Sequence, residues 1–364
     1  MTKTFASAAE LIRESNPDIP AYCIYPEAYA ESTRYFLQNF PGRTLFAVKA
    51  NNHPEVVQTL YASGVSHFDC ASLAEVELAY RCCPGSTLYF MNPVRLAGHA
   101  RRAQQDFGVR HFVIDHHSGL KPLTDEIDAG QAVIFARMAV SHPSAAADLS
   151  AKFGARPENV PALLAAIRDA GAEPALAFNV GSGVTDPKAY SYAMGIAREV
   201  LDRTPFRIRL LDIGGGFPKP YPGYNVPELG EFFAATRDAA ESLPLANDGE
   251  LLSEPGRALA APGLSAITRV LLRKTDRIYL NDGMYGAFWE LRFKAHLGYP
   301  CRVFRNGAPL DGNEKEFRIF GPTCDSTDEL PAPVLLPEAI DIGDHIEFGS
   351  IGAYSLSGRT DFNG

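Results

Sequence analysis

One lysine of this chain lies at the end of an apolar run, a position where a side chain can do chemistry. Lys49 follows the residues LFAV. Its amine is therefore expected at a partly apolar cavity mouth, where desolvation would lower its pKa and leave it nucleophilic. Such a lysine can form an imine with a carbonyl compound. A solvated lysine at a strand end is the commoner case, so the neighbouring motifs must decide.

Two further motifs suggest a phosphate site. Gly214, Gly215 and Gly216 follow the run LLDI, and successive glycines let backbone N–H groups approach a phosphate, although a tight turn would explain them equally well. In EPGR, Arg257 could add a cation to that site, and Glu254 could bind a protonated heterocycle nitrogen. In isolation these two could be an ordinary surface ion pair, but the order and spacing of the motifs favour one shared site.

Eight short apolar runs between about residues 44 and 257 would position these groups. Each run ends in polar or glycine-rich residues and is followed by a helical pattern. This βα repeat predicts an α/β fold with a (β/α)8 TIM barrel, because an open doubly wound sheet usually has fewer strands. Catalytic groups of TIM barrels lie at the carboxyl ends of the strands, which here carry Lys49, Asp69, Arg137, Asn179, Ser182, Gly214 to Gly216, Glu254 and Arg257.

The sequence changes character after Gly263, where short β-rich runs are separated by turns. This pattern predicts a C-terminal β-sandwich or small β-barrel domain. The segment CIYPEAYAES near the N-terminus could add a strand to it. We therefore expect a barrel domain over residues 37–262 and a β domain built from residues 1–36 and 263–364.

Composition narrows the class of partner. A formal charge of -9 argues against a nucleic-acid partner, which would need clustered Lys and Arg, and favours a small-molecule substrate. No apolar run has the length of a signal peptide or a spanning helix, so we expect a cytoplasmic protein without membrane association. The six cysteines lack the spacing of a disulfide framework, and no metal-ligand pattern occurs among the histidines.

Several blocks of the sequence, in this order, resemble a known family. They are FAVKANNHPEVV, FDCASLAEVELA, AKFG, FNVGSG, LDIGGGFP, SEPGR, NDGMYGAF, GPTCDSTDEL and GAYS, with FNG near the end. The chain resembles the fold type III decarboxylases, which use pyridoxal 5'-phosphate and act on ornithine, lysine, arginine, diaminopimelate and related amino acids. Ornithine decarboxylase is the most similar branch, and the resemblance covers nearly the whole chain.

The resemblance implies a role for each matching residue. Lys49 would carry the cofactor as an imine, Asp69 would contact it, Glu254 would bind the pyridine nitrogen, and Arg137 would lie near the ring hydroxyl. The cofactor phosphate would be held by Ser182, Gly214, Gly215, Gly216, Arg257 and Tyr354. Cys324 would return a proton to the substrate carbon after CO2 leaves, and Asp325, with Tyr285 nearby, would bind the distal amine. Family members complete each site with the GPTCD block of a second subunit, so the resemblance also implies a head-to-tail homodimer.

Two positions depart from the family pattern. Asn179 stands where a histidine usually stacks on the cofactor ring, and an amide cannot carry a proton charge at neutral pH. Phe293 and Lys294 stand where ornithine decarboxylases of the eukaryotic type have Tyr-Asp. Either Lys294 faces the substrate and disfavours ornithine, or Glu290 supplies the missing carboxylate and Lys294 faces water.

Two rival functions remain open at this point. An amino-acid racemase on the same barrel would need an arginine against the pyridine nitrogen and a tyrosine base, whereas this chain has Glu254 and Cys324. A decarboxylase homologue without catalysis, acting as a binding or regulatory protein, would not require Lys49 or Cys324. We therefore expect a decarboxylase.

Overall fold

The computed structural model describes residues 3–363, which divide into two compact units. The first, called here the barrel unit, comprises residues 30–219 and 226–259. The second, called the β unit, comprises residues 3–29, 220–225 and 260–363. The division falls inside the helix Pro26–Asn39.

The barrel unit contains a ring of parallel strands. The ring is closed by Arg43–Thr44 and Phe46–Ala47, which are separated only by Leu45: the first pairs with the strand Glu250–Ser253 and the second with His67–Cys70. Counting that pair as one strand gives eight, and the others are His67–Cys70, Thr87–Phe90, His111–Ile114, Val133–Met138, Glu173–Phe178, Leu210–Asp212 and Glu250–Ser253. A separate two-stranded antiparallel sheet, Ala145–Ala147 with Ser182–Val184, lies outside the ring.

Helices connect the strands, and the start of one of them shows a side-chain cap. At Leu73–Cys82, the Ser72 hydroxyl accepts the Glu75 N–H (3.2 Å) and the Glu75 carboxylate accepts the Ala71 N–H (2.7 Å), which satisfies two of the N–H groups that a helix start leaves free. The α-helices are Ala8–Ser15, Pro26–Asn39, Pro54–Ala62, Leu73–Cys82, His99–Phe107, Leu120–Thr124, Val160–Asp169, Lys188–Asp202, Leu229–Ala240 and Arg257–Ala260.

The ring strands contribute a cluster of buried apolar side chains, including Leu45, Tyr89, Phe135 and Leu252. At the amino ends of the strands the Arg43 guanidinium donates to the Tyr89 hydroxyl (3.2 Å) and pairs with Glu250. This network fills one end of the barrel. The opposite end, where the strands finish, is left for polar side chains.

The β unit is an eight-stranded mixed sheet. The N-terminal strand Ala21–Ile24 pairs antiparallel with the start of Leu264–Lys274, as the sequence suggested. Along the rest of the sheet the strands follow the order Ala308–Pro309, Cys301–Arg305, His345–Phe348, Leu264–Lys274, Arg277–Leu280, Glu314–Phe320 and Val334–Pro337. The predicted fold class, an α/β barrel with an additional β domain, is confirmed.

Candidate active site

Lys49 lies in a single 3-10 turn, Val48–Ala50, directly after a barrel strand. Its Nζ donates to Asp69 Oδ2 at 2.8 Å, and Asp69 is on the neighbouring strand. The lysine side chain is 43% exposed, whereas the aspartate side chain is 1% exposed. The desolvation that the apolar run suggested is therefore not observed, and a buried carboxylate orients the amine instead.

The three glycines form a strand-end turn with close backbone neighbours. A Cβ on Gly214 would lie 2.5 Å from Phe178 O, one on Gly215 would lie 2.6 Å from Glu254 O, and one on Gly216 would lie 2.7 Å from Gly181 O. Gly214 and Gly216 also have positive φ angles of 71° and 99°. Any side chain here would displace the backbone of a neighbouring strand end.

The N–H groups of this turn differ in their partners. Gly214 N–H donates to Asp212 Oδ1 at 2.8 Å. Within residues 3–363, neither the Gly215 nor the Gly216 N–H has a hydrogen-bond partner. Two adjacent donors at the carboxyl ends of the strands are thus available to an anion.

Glu254 follows the strand Glu250–Ser253, and its N–H donates to Gly214 O at 2.8 Å. Desolvation raises the pKa of its carboxyl group well above the usual range, and the charges of Asp212 and Asp69 raise it further, against the opposing effect of Lys49 and Arg137. Burial likewise raises the pKa of Asp212, to about 6. Glu254 is therefore a carboxyl group that binds a proton readily.

The other predicted barrel residues lie at the same ends of the strands. Arg137, on Val133–Met138, has its guanidinium carbon 5.2 Å from the centre of the Phe153 ring. Asn179 follows Glu173–Phe178 and accepts the Gly181 N–H on Oδ1 at 3.0 Å. Ser182 begins the strand Ser182–Val184, and Arg257 is buried at the start of Arg257–Ala260.

The β unit carries the predicted substrate groups. The exposed Cys324 donates from its N–H (3.2 Å) and its Sγ (3.3 Å) to Asn363 Oδ1. The Tyr285 hydroxyl donates to Asp325 Oδ2. That bond and the Thr327 donors lower the pKa of Asp325 to about 2, and the charge of Arg292 adds to this effect. Tyr354, with a φ of 58°, is also in this unit.

In the loop after NDGMYGAF, the position of Lys294 contradicts one of the two sequence-based alternatives. Lys294 is only 8% exposed, so the interpretation in which it faces water is wrong. Glu290 is buried too, and its carbonyl accepts the Lys294 N–H at 3.1 Å across the turn Trp289–Arg292. The exposed cation of this loop is Arg292, whose guanidinium carbon lies 4.0 Å from the centre of the Tyr285 ring.

Comparison with known proteins identifies the family. The family model for the pyridoxal-dependent decarboxylase, pyridoxal binding domain, matches residues 28–261. The chain belongs to this family of pyridoxal-dependent decarboxylases. It is 32% identical over 345 residues to the lysine/ornithine decarboxylase of Selenomonas ruminantium, covering 92% of this chain and 84% of the relative.

Two further relatives differ in what they do. The structure of the lysine/ornithine decarboxylase of Vibrio vulnificus complexed with putrescine matches with a TM-score of 0.84 and 28% identity, covering 98% of this chain and 96% of the other. Antizyme inhibitor 2 of Xenopus laevis is 30% identical over 361 residues, covering 90% of this chain and 75% of the relative. Pyridoxal-dependent decarboxylases and an inhibitor protein are therefore both among its relatives.

The donor set of this decarboxylase-family chain suits a phosphorylated pyridine aldehyde. An amine for the aldehyde carbon is present at Lys49, two unpaired N–H donors for a phosphate are present at Gly215 and Gly216, and a proton-binding carboxyl for a ring nitrogen is present at Glu254. In residues 3–363, no group of three or more His, Cys, Asp or Glu side chains is arranged to hold a metal ion. No helix of that range is long and apolar enough to span a membrane.

Asp212 was missed from the sequence, although it lies at the same end of the barrel as the predicted residues. It is the last residue of Leu210–Asp212 and is completely buried. The signal was present, because alternation along a strand points residues 210 and 212 to the same face, and Leu210 belongs to the barrel interior. A carboxylate at an inward-facing position next to a glycine turn should have been counted with the strand-end residues.

Proposed function

We propose that this chain is an enzyme that uses pyridoxal 5'-phosphate to decarboxylate an amino acid of the ornithine or lysine type, or a substituted relative of these. The proposal rests chiefly on the Lys49–Asp69 ion pair of 2.8 Å at the barrel end that also carries Glu254 and the unpaired Gly215 and Gly216 N–H groups. Membership of the decarboxylase family supports it.

The barrel residues would bind and orient the cofactor. When bound, pyridoxal phosphate supplies an aromatic ring that accepts the electron pair released as CO2 leaves. Lys49 would anchor the cofactor through its amine, with Asp69 holding that amine in place. The Gly215 and Gly216 N–H groups, together with Ser182, Arg257 and Tyr354, would hold the phosphate. Glu254 would keep a proton between its carboxyl group and the ring nitrogen.

Two residues of the β unit would act on the substrate. Cys324 holds a proton on Sγ, hydrogen-bonded to Asn363 Oδ1, and would deliver it to the carbon that loses CO2. Asp325, ionised above a pKa of about 2, would attract a distal ammonium group. In the proposed head-to-tail homodimer these two residues come from the second subunit.

Release of CO2 from a panel of diamino acids tests the proposal. We expect turnover by the wild type with added cofactor, and none by Lys49→Ala, because the covalent anchor is missing. Lys121→Ala is the matched control, since Lys121 is an exposed lysine paired with Asp125 on a helix. Equal turnover in Lys49→Ala and wild type would rule out the assigned role of Lys49.

A second candidate function is a binding protein without catalysis, and the similarity to antizyme inhibitor 2 is the observation in its favour. The same assay separates the two. A folded wild-type chain that binds no pyridoxal phosphate and releases no CO2 from any amino acid of the panel would favour the binding protein.

We also propose that L-ornithine is not the preferred substrate. The Tyr285 hydroxyl and Thr327 already donate to Asp325, and the Arg292 cation lies over the Tyr285 ring. A cation beside the single matching carboxylate disfavours a compact distal ammonium and suits a longer, substituted or partly anionic distal group.

The preference is measured as kcat/KM for ornithine, lysine, diaminobutyrate, arginine, diaminopimelate and a carboxylated polyamine. We expect Arg292→Met to raise kcat/KM for ornithine relative to the best substrate by about tenfold, the effect of removing one repulsion of roughly 1.4 kcal/mol. Arg318→Met, which removes an arginine paired with Glu329, is the control. A clear wild-type preference for ornithine would refute this substrate assignment.

A further inference from the structure

Two carboxyl groups lie next to each other across neighbouring strands of the barrel. Asp212 pairs in register with Leu252, and two residues later Glu254 N–H donates to Gly214 O at 2.8 Å. The backbone therefore fixes both residues at the carboxyl ends of adjacent strands. Asp212 is 0% exposed, and its charge has the largest electrostatic effect on Glu254.

The two oxygens of Asp212 have different surroundings. Oδ1 accepts the Gly214 N–H at 2.8 Å, while Oδ2 is buried and has no hydrogen-bond partner in the part of the chain that the structure describes, residues 3–363. A buried carboxylate oxygen without a donor is costly, because nothing replaces the water it has lost. It is one of several buried polar side-chain atoms without a partner in residues 3–363, as are Thr44 Oγ1, Asp69 Oδ1 and Ser253 Oγ of the barrel unit.

The charges around the pair are unbalanced. Three carboxyl groups act on one another here, those of Asp69, Asp212 and Glu254, while the opposing cations are Lys49 and Arg137. Three carboxylates against two cations leave one negative charge uncompensated in a desolvated site, so one of the three groups is expected to hold a proton.

Two further groups near the cluster, Tyr89 and Glu75, do not supply the missing positive charge. Tyr89 lies near Asp212 and keeps its proton, because burial raises its pKa. Glu75 interacts with Asp69 and Lys49, and its carboxylate caps a helix by accepting the Ala71 N–H. Neither group therefore adds a positive charge to the three carboxyl groups and two cations above.

The proton belongs on Glu254 rather than on Asp69 or Asp212. Asp69 already pairs with the Lys49 ammonium at 2.8 Å. The Gly214 N–H stabilises the Asp212 anion, and the pKa of Asp212 is raised only to about 6, whereas that of Glu254 is raised well above its usual range. We therefore assign the negative charge to Asp212 and the proton to Glu254.

We propose that Asp212 is a positioning residue whose negative charge, added to the effect of burial, keeps Glu254 protonated in the cofactor-free barrel, so that Glu254 gives this proton to the ring nitrogen when the cofactor binds. The inference rests on the proposed function, in which Glu254 faces that nitrogen. One O–H bond breaks on Glu254 and one N–H bond forms on the ring, so no proton is drawn from solvent. The protonated ring then supplies the third positive charge that the three carboxylates lack.

Counting protons during cofactor binding tests the proposal. The cofactor-free, full-length chain is titrated calorimetrically in two buffers of different ionisation enthalpy, at a mildly alkaline pH where the free cofactor's ring nitrogen is largely unprotonated. Pyridoxal phosphate is compared with its analogue in which carbon replaces the ring nitrogen. Protons exchanged at Lys49 and at the phosphate are common to both ligands. The difference in proton uptake between the two ligands therefore reports the ring proton alone.

For the wild type we expect the same proton uptake on binding either ligand, because Glu254 supplies the ring proton. In Asp212→Asn, which keeps an oxygen for the Gly214 N–H, Glu254 is ionised before binding, and pyridoxal phosphate should take up about one more proton from solvent than the analogue. An unchanged count in Asp212→Asn would overturn the inference.

Asp115→Asn is the matched control. Asp115 also follows a barrel strand, His111–Ile114, and it also accepts a glycine N–H, that of Gly154 at 3.0 Å. We expect it to give the wild-type proton count. A change in proton count as large as that of Asp212→Asn would show that any carboxylate at the carboxyl ends of the barrel strands has the same effect. That result would overturn the specific role of Asp212.

Glu254→Gln separates the inference from the proposed function on which it rests. With a cofactor labelled with nitrogen-15 in the ring, the nitrogen chemical shift reports ring protonation directly. An unchanged shift in Glu254→Gln would refute the role of Glu254 itself. Loss of ring protonation in Glu254→Gln, together with a wild-type proton count in Asp212→Asn, would refute only the role of Asp212.

One measurement needs no Asp212 variant and applies even if Asp212→Asn fails to fold. The infrared spectrum of the cofactor-free wild type should contain a buried carboxylic acid band that is absent from Glu254→Gln and disappears when pyridoxal phosphate is added. Absence of that band from the cofactor-free wild type at neutral pH would overturn the proposal.

Discussion

The amine of Lys49 and the carboxylate of Asp69 form an ion pair in which only the carboxylate is buried. The ammonium is therefore held at one point while it remains accessible to a ligand. An amine that must attack an aldehyde needs such orientation, since a freely rotating lysine would rarely point at its target. The same principle applies to Cys324, whose thiol and N–H both contact the single acceptor Asn363 Oδ1.

Replacement of Cys324 tests proton delivery. In Cys324→Ala we expect decarboxylation to slow by about 100-fold, the usual size of a general-acid contribution, and a larger share of product to be protonated at the wrong carbon. Chromatographic analysis of amine and aldehyde products measures that share. Cys82→Ala removes a partly exposed thiol on the helix Leu73–Cys82 and should behave like wild type. A wild-type rate and product ratio in Cys324→Ala would show that another group is the acid.

At the level of elements, the turn after Leu210–Asp212 limits what the barrel end can tolerate. We expect Gly214→Ala to lower the free energy of unfolding by about 2–4 kcal/mol, because the new Cβ would meet Phe178 O at 2.5 Å and φ is 71°. Urea denaturation measures this. Gly171→Ala changes a glycine of similar φ, 87°, whose new Cβ would meet no atom of residues 3–363 within 4 Å apart from its chain neighbours, and should cost only about 1 kcal/mol.

Equal losses of stability in Gly214→Ala and Gly171→Ala would mean that the close backbone approach adds nothing to the positive φ. A larger loss in Gly214→Ala would show that the contact with the strand Glu173–Phe178, and not turn geometry alone, requires glycine there.

The elements of the barrel could be read from the sequence because each apolar run ends in a polar or glycine-rich segment. All eight predicted runs contain a strand of the ring. The two-stranded sheet of Ala145–Ala147 and Ser182–Val184 could not be predicted, because alanine has low β propensity and the pairing depends on the close approach of Gly181 to Ala145. The membership of residues 220–225 in the β unit depends on tertiary contacts such as that between the Tyr221 and Tyr299 rings, 5.8 Å apart.

Site residues could be predicted where they belong to a sequence motif, but their burial, which depends on the surrounding structure, could not. Lys49 and Glu254 belong to recognisable blocks. The exposure of Lys49 and the burial of Lys294 could not be read from their neighbours, since both depend on side chains distant in sequence. Asp212 was accessible to strand alternation and was overlooked because the run around it is apolar.

For the molecule as a whole, two histidines at the amino ends of the strands predict sensitivity to acid. Desolvation, reinforced by the charge of Arg43, lowers the pKa of His67 to about 4 and that of His111 to about 3. The unfolded chain binds these protons near pH 6.5, so stability is fully present above that value. It falls as the pH drops toward 4 and 3; the loss is up to about 1.4 kcal/mol per pH unit for the more deeply buried His111 and smaller for the more exposed His67, whose charge solvent screens.

The His111 ring stacks on Tyr89 with centroids 4.1 Å apart, so His111→Phe should keep the stack and remove the titration. We expect its unfolding midpoint in urea to fall less steeply than that of the wild type between pH 6.5 and 4. His116→Phe, at an exposed position, should follow the wild type. Parallel curves for His111→Phe and wild type would contradict the assignment of this acid sensitivity to His111.

The closure of the strand ring has a consequence for synthesis on the ribosome. The strand Arg43–Thr44 pairs with Leu252 and Ser253, and the strand Ala21–Ile24 pairs with Leu264–Ile267. Each pairing partner is therefore synthesised more than about 200 residues after the strand it pairs with. At ordinary translation speeds, the earliest strands stay without one neighbour for roughly 10 to 40 s. The nascent chain thus exposes unpaired strand edges for most of its elongation, which makes it a candidate for chaperone protection until Ile267 has left the exit tunnel.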